Sequence, residues 1–262
     1  MAAMPVHFRD AVALITGASS GIGKDLALRL AEEGTRTVLA ARREDKLNEV
    51  KQACERHAPS LALRCDVRDR AQVDAMVAQA HAHFGRIDIL VNNAGYSRWT
   101  LAKDAPIDEY EDLMRTNFFG LVYCTKAVLP LLLAQRSGHI VNISSIAGRL
   151  GTAHHTHYCA TKFATAGFTE SLWYELRGTG VGITLVNPGV IDTELFEHES
   201  FREFPAANRA RMIPVRQLTE AILDAIRRDR PEITVPRYMA LGTVVRHLAP
   251  GLFRRIMARQ SV

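Results

Sequence analysis

Short runs of apolar residues alternate along the chain with longer stretches in which apolar residues recur every three or four positions. The short runs are Ala11–Thr16, Thr37–Ala41, Leu61–Asp66, Asp88–Asn92, His139–Ser144, Gly182–Asn187 and a last, shorter one at Glu232–Pro236. Runs of this length, apolar on both faces, suit strands of a parallel sheet covered on both sides. The periodic stretches predict helices over Leu26–Glu33, Arg70–Phe84, 108–135, Tyr158–Arg177 and Gln217–Arg228. Glu44 and Asp45 open a further helix after the second strand, where acidic side chains suit the helix dipole. Pro130 predicts a kink or a boundary within 108–135. Residues 193–216 are irregular and predict a mobile lid with one or two short helices. Strands alternating with helices, with no repeat and no linker, predict one α/β domain over 1–262 with right-handed crossovers.

In such a sheet, ligands gather at the carboxyl ends of the strands, and the polar punctuation falls there. After the first strand comes Gly17-Ala-Ser19-Ser20-Gly21-Ile22-Gly23. Strand, glycine turn, helix lets a diphosphate approach main-chain N–H groups and the positive end of a helix. The spacing differs from the commoner Gly-x-Gly-x-x-Gly. The second strand ends in Arg42-Arg43 with no acidic residue at its tip. An acid there binds ribose hydroxyls and an arginine accommodates a 2′-phosphate, so NADP(H) is favoured over NAD(H). Asp66-Val67 and Asn92-Asn93-Ala94-Gly95 close the next two strands.

The candidate chemistry is concentrated in Ser145–Lys162. Tyr158 and Lys162 stand at i and i+4, which stacks them on one helix face. A free tyrosine has a pKa of about 10, and a nearby ammonium is expected to lower it. So tuned, the phenol exchanges a proton with an alcohol or a carbonyl oxygen near neutral pH. Ser145 lies thirteen residues upstream, at the end of a predicted strand. Alone, a Tyr-x-x-x-Lys pair is better read as a partly buried Tyr and a solvated Lys on an ordinary helix; its setting among the other motifs favours chemistry.

Composition narrows the class. Of 262 residues, 47% are hydrophobic and 23% charged, ordinary for a soluble globular chain. No run of eighteen apolar residues and no signal-peptide core is present, so no membrane span or secretion signal is expected. Cys54, Cys65, Cys124 and Cys159 show no Cys-x-x-Cys pairing, which fits free thiols in a reducing cytoplasm. The net charge of +5 comes from scattered arginines. It suits a phosphorylated cofactor or anionic lipid, and no nucleic-acid partner is expected.

Four motifs, in order, resemble the short-chain dehydrogenase/reductase family: Thr16-Gly-x-x-x-Gly-x-Gly23, Asn92-Asn-Ala-Gly95, Ser145 with Tyr158-x-x-x-Lys162, and Pro188-Gly189. The similarity covers roughly residues 8–200. It implies a Rossmann-type, doubly wound sheet of about seven parallel strands between two helix layers. It implies an Asn117, Ser145, Tyr158, Lys162 tetrad, in which Asn117 keeps a water in a proton relay and Lys162 also holds the nicotinamide ribose. Asp66 and Val67 then flank the adenine, Asn92 to Gly95 line the adenosine ribose, and Ile191 and Thr193 reach the nicotinamide amide. The implied activity is hydride transfer between NADP(H) and a ketone/secondary-alcohol pair, here read as lipophilic, in a homodimer or homotetramer joined through helices 108–135 and 158–177.

A competing reading is a non-catalytic dinucleotide sensor or scaffold on the same fold, since fold does not fix function. His154, His155 and His157 crowd the loop before Tyr158; no fourth ligand is evident, so no metal is expected, and one or two are read as lining the substrate mouth with the rest facing water. The C-terminal extension 237–262 is amphipathic and basic, and Pro250-Gly251 divides it into two short helices. It is read as packing within the protein, with peripheral membrane contact as the alternative.

Overall fold

The computed structural model describes residues 6–260, and side chains as far as Ala258. Its centre is a sheet of seven strands: β1 (Val12–Thr16), β2 (Arg36–Ala41), β3 (Ser60–Arg64), β4 (Ile89–Asn92), β5 (Gly138–Ile143), β6 (Val181–Pro188) and β7 (Glu232–Val235). All neighbours pair in parallel, in the order β3-β2-β1-β4-β5-β6-β7. The chain runs outward from β1 to β3, then crosses back and continues on the other side through β4. The order therefore reverses between β1 and β4, the place where such sheets open a crevice for ligands. Every residue of β1, β4, β5 and β6 is buried, which is why these strands read as unbroken apolar runs.

Two helix layers cover the sheet. On one face lie α1 (Gly21–Glu32), α2 (Glu44–Cys54) and α8 (Val215–Arg227), which bury Leu26, Leu30, Leu47, Val50, Leu218 and Ile222. On the other lie α3 (Arg70–Phe84), α5 (Gly120–Gln135) and α6 (Thr156–Glu175), which bury Val73, Met76, Cys124, Val128, Leu132 and Leu172. Local signals set some boundaries. Asp69 caps α3 by accepting from Ala71 N and Gln72 N, and Gly85 ends it in the left-handed region.

Some boundaries differ from the sequence reading. Helix α1 begins at Gly21 rather than Leu26, because two glycines of the turn form its first winding. Helix α6 begins at Thr156, two residues before Tyr158. Pro130 does not end its helix; it lies inside α5. The irregularity is instead upstream, where α4 (Ile107–Met114) passes into α5 through a π-turn at Arg115–Phe119. Wide turns of this kind recur at functional sites, and this one carries Asn117. The continuous helix Ile107–Gln135 is long and apolar enough to cross a bilayer, with a mean hydropathy of 1.5. Its Leu121, Cys124, Val128 and Leu132 are instead buried against the sheet layer.

Candidate active site

Thr16, at the tip of β1, knots two turns together. Its hydroxyl donates to Val91 O and accepts from Asn93 N and Ala94 N, each at 3.0 Å. Asn93 Nδ2 returns to Thr16 O and Gly17 O. The glycine turn is thus pressed against Asn92–Gly95. A Cβ on Gly17, which has φ +65°, would stand 2.9 Å from Ala94 Cα, and one on Gly23 would stand 2.4 Å from Gly17 O. Only glycine fits so close an approach. Bare backbone at the amino end of α1 is a cradle for a diphosphate, and the residues present fit a bound dinucleotide.

Around the cradle, the two arginines are unequal. Arg43 Nη2 donates to Ser20 Oγ at 2.8 Å and Ser19 Oγ at 3.3 Å, and its Nη1 lies 3.6 Å from Glu194. Arg42 is exposed, and its charge acts on Asp66 and Asp112. Bonds from Arg68 hold the Asp66 carboxyl below its usual range. Val67 is buried, where a Cβ on Gly120 would touch it at 2.6 Å. The Asn92 side chain does not line the crevice: it points inward, donating to Thr125 Oγ1 and Asn142 Oδ1. Ile191 is also buried, bridging to Ile213, whereas Thr193 sits over Gly21.

The expected tetrad comes together at the ends of β4 and β5. Lys162 reaches across from α6 to donate to Ile143 O at 2.9 Å, with Nζ 5.6 Å from the centre of the Tyr158 ring. Of the two adjacent serines, Ser144 donates to Lys162 O, while Ser145 hydrogen-bonds Tyr158 and accepts from Ala147 N. Ser145 Oγ also lies 3.5 Å from Pro188 O, before Gly189, whose face is closed by Met239. Asn117, 2% exposed, accepts from Tyr96 N at 3.0 Å and donates to Tyr96 O at 2.9 Å and Thr161 Oγ1 at 3.2 Å. A Cβ on Gly95 would stand 2.9 Å from Asn117 Oδ1 and 3.8 Å from Lys162 Nζ, so that glycine admits both side chains.

The electrostatics correct one expectation. Burial pushes Tyr158 up to about 12, and the Ser145 hydrogen bond only partly opposes it. Burial pushes Lys162 down to about 8. The phenol is therefore not brought below its usual value, as the i, i+4 spacing suggested it would be: desolvation outweighs the pull of an ammonium that is itself disfavoured by burial and turned to a backbone carbonyl.

A family model for short chain dehydrogenases matches residues 11–203. The chain belongs to the short-chain dehydrogenase family. An uncharacterised oxidoreductase of Staphylococcus epidermidis is 38% identical over 195 residues, covering 74% of this chain and 84% of the relative. A dehydrogenase/reductase SDR family protein 7-like of Anopheles gambiae is 36% identical over 268 residues, 97% of this chain and 84% of that one. Among solved structures, a short chain dehydrogenase/reductase from Burkholderia phymatum in complex with NAD superposes with a TM-score of 0.86 at 27% identity, covering 94% of this chain and 96% of that one. One from Mycobacterium marinum gives 0.80 at 31%, covering 87% and 95%. The chain is thus an oxidoreductase of this family, with the seven-stranded sheet its motifs implied.

In this short-chain dehydrogenase the three histidines differ in burial: His154 and His155 are partly exposed, and His157 is enclosed. His157 is buried, and its Nδ1 accepts from Tyr158 N. Its ring proton then belongs on Nε2, 2.7 Å from Glu109 Oε1, tying α4 to the first turn of α6. His154 stacks on Trp99 at 4.9 Å. His155 lies between Ser97 Oγ (3.2 Å), the edge of Trp99 and the Tyr158 ring, and burial pushes it down to about 3, so it is neutral. Phe196 and Phe201, from short helical turns at Glu194–Glu197 and Glu199–Phe201, and Phe204, from the bend before α7 (Ala206–Arg209), complete an aromatic wall with Trp99. The sequence reading did not single out Trp99, Glu109 or Thr161, whose contacts to His154, His157 and Asn117 span 55, 48 and 44 positions. A separate open depression of about 1250 Å³, lined by Phe8, Arg36, Arg56 and Arg227, lies at the opposite ends of β1 and β2 and holds none of these groups.

Proposed function

We propose that the protein is an NADP-dependent reductase of ketones, or dehydrogenase of secondary alcohols, with Tyr158 as the acid/base. One observation carries the reading: Ser145, Tyr158, Lys162 and Asn117 converge from three segments on the end of the sheet that also carries the glycine cradle. In this reading Ser145 Oγ donates to the substrate oxygen and fixes it beside the phenol. Tyr158 donates its proton to that oxygen as negative charge develops. A phenol pushed up to about 12 is protonated at neutral pH, which suits the reducing direction. Lys162, cationic below about pH 8, stabilises the phenolate left behind. Asn117 fixes the Tyr96 backbone and, through Thr161, the Tyr158 carbonyl. A bound nicotinamide supplies or receives the hydride.

The cofactor would rest on Gly17–Gly23 with Asn93, Ala94, Gly95 and Thr193 close by. NADP(H) is favoured because Arg43 stands over Ser19 and Ser20 and Arg42 beside it, with no acidic residue at the tip of β2. The aromatic wall suits a lipophilic substrate, with 193–216 as its lid. The homo-oligomer would form through helix 107–135 and α6, where Phe119, Leu133, Phe163 and Tyr174 are exposed. Buried, unpaired Cys54, Cys65, Cys124 and Cys159 suit the cytoplasm. The test is consumption of NADPH and, separately, NADH against a panel of aliphatic and aryl ketones. NADPH-dependent turnover with the bulkier ketones is expected; tight cofactor binding with no turnover of any ketone would favour a dinucleotide sensor.

A further inference from the structure

The C-terminal helices α9 (Ala240–Leu248) and α10 (Pro250–Gln260) are built inside out. On α9 the arginine faces the protein: Arg246 donates to Arg149 O and its guanidinium lies 5.2 Å over the Phe163 ring. Gly242 lies on the same inner face, against Leu150. The leucines face outward, with Leu241 64%, Val244 50% and Leu248 81% exposed. Leu252 and Ile256 continue the apolar surface on α10, and Tyr238 begins it. Of the twelve large apolar side chains exposed among the described residues, these six fall within nineteen consecutive positions. A stripe of this kind ordinarily faces a core. Packing within its own chain, the expected use of the segment, is therefore not what this face does.

Its chemistry selects an occupant. From Arg237 to the end of the chain there are five arginines and a histidine and no Asp or Glu. Arg237, His247, Arg254 and Arg255 are exposed around the apolar stripe. A second copy docked symmetrically would set this all-basic segment against itself, with no acid in it to relieve the repulsion. An anionic bilayer satisfies both features, accepting the leucines among its acyl chains and pairing the arginines with headgroups. Tyr238 supplies an aromatic ring of the kind that settles at the interface. The pair is also held at the rim of the crevice: Met239 closes on Gly189, and Arg149, which receives Arg246, is ion-paired to Glu232.

We propose that α9 and α10 dock this protein on an anionic membrane surface, with Leu241, Val244, Leu248, Leu252 and Ile256 inserted and the crevice mouth beside the lipid. The test is sedimentation of the full-length protein with vesicles of phosphatidylcholine alone or with added phosphatidylglycerol, read beside a sizing column. The wild type is expected to bind the anionic vesicles at least tenfold better than the neutral ones, and to be released by salt. Leu241→Glu with Leu248→Glu should reduce binding tenfold or more, and Arg254→Gln with Arg255→Gln should weaken binding and flatten its salt dependence. A fluorophore on Leu248→Cys, a residue too exposed to hold the fold, should shift to the blue on adding anionic vesicles. No retention at low salt overturns the proposal. So does retention that the leucine pair does not alter, or a leucine pair whose only effect is a smaller oligomer, which would assign the face to a second copy. None of these readouts needs a substrate, so they stand apart from the assigned reaction.

Discussion

Asn117→Ala isolates the residue that holds the cleft together. The amide makes three hydrogen bonds, to Tyr96 N, Tyr96 O and Thr161 Oγ1. Each is worth about 1 kcal/mol net, and more where the partner is left buried and unpaired. Tyr96 is only partly buried, so water can reach its freed amide and carbonyl, and Thr161 keeps its bond to Tyr158 O. The expected loss is therefore about 2 kcal/mol rather than the larger figure for three buried orphans. Asn117→Asp should do no better, since it keeps the acceptor for Tyr96 N but sets a carboxylate oxygen against Tyr96 O. Urea unfolding followed by the fluorescence of Trp99 and Trp173 reads the stability, and kcat/KM for ketone reduction reads the cleft. Both should fall, because Gly95 packs on this amide and lies beside Lys162. An alanine variant within about 0.5 kcal/mol of wild type and with full turnover would refute the anchoring role.

Gly23→Ala should abolish measurable NADPH binding and lower stability, since its Cβ meets Gly17 O at 2.4 Å; a variant that binds NADPH normally in a fluorescence titration would contradict the cradle. Arg43→Ala should raise the NADPH Kd by tenfold or more and the NADH Kd little, with Arg42→Ala having a smaller effect of the same kind, because a phosphate contact is lost; equal losses for both cofactors would overturn the NADP assignment. His139 is buried, bonded to Thr184, and pushed down by burial from 6.5 to about 4. With its folded value below its unfolded one, it favours the folded state above pH 6.5 and that contribution is lost as pH falls toward 4. The loss should reach about 3 kcal/mol, and His139→Gln should flatten the acid limb of a stability–pH curve; an unchanged limb would show that His139 does not titrate there.

Much of this architecture was legible from periodicity. All seven strands stand where the apolar runs fell, because a sheet covered on both faces demands unbroken apolar runs. The glycine turn, the Asn92–Gly95 turn and the Tyr158/Lys162 pair were legible because each is local and its spacing carries its geometry. What escaped was non-local. The π-turn at Asn117 has no local signal, while the visible breaker, Pro130, is absorbed by α5. The His157–Glu109 contact joins residues 48 positions apart and leaves no periodic trace. Helical spacing put Lys162 beside Tyr158 but said nothing of burial, which decides the direction of both pKa values. In the C-terminal segment the sequence marked an amphipathic, basic stretch but not the facing of α9, because periodicity locates a face without saying what covers it.

The central claim, that Tyr158 transfers the proton, is tested most directly by Tyr158→Phe, which removes one oxygen and leaves the ring in place. Single-turnover reduction of a ketone should be measured with wild type and variant at saturating NADPH, together with the NADPH Kd of each. The account predicts a rate lower by about 10²–10⁴-fold with the Kd within about twofold. A variant that reduces the ketone at a near wild-type rate would contradict it.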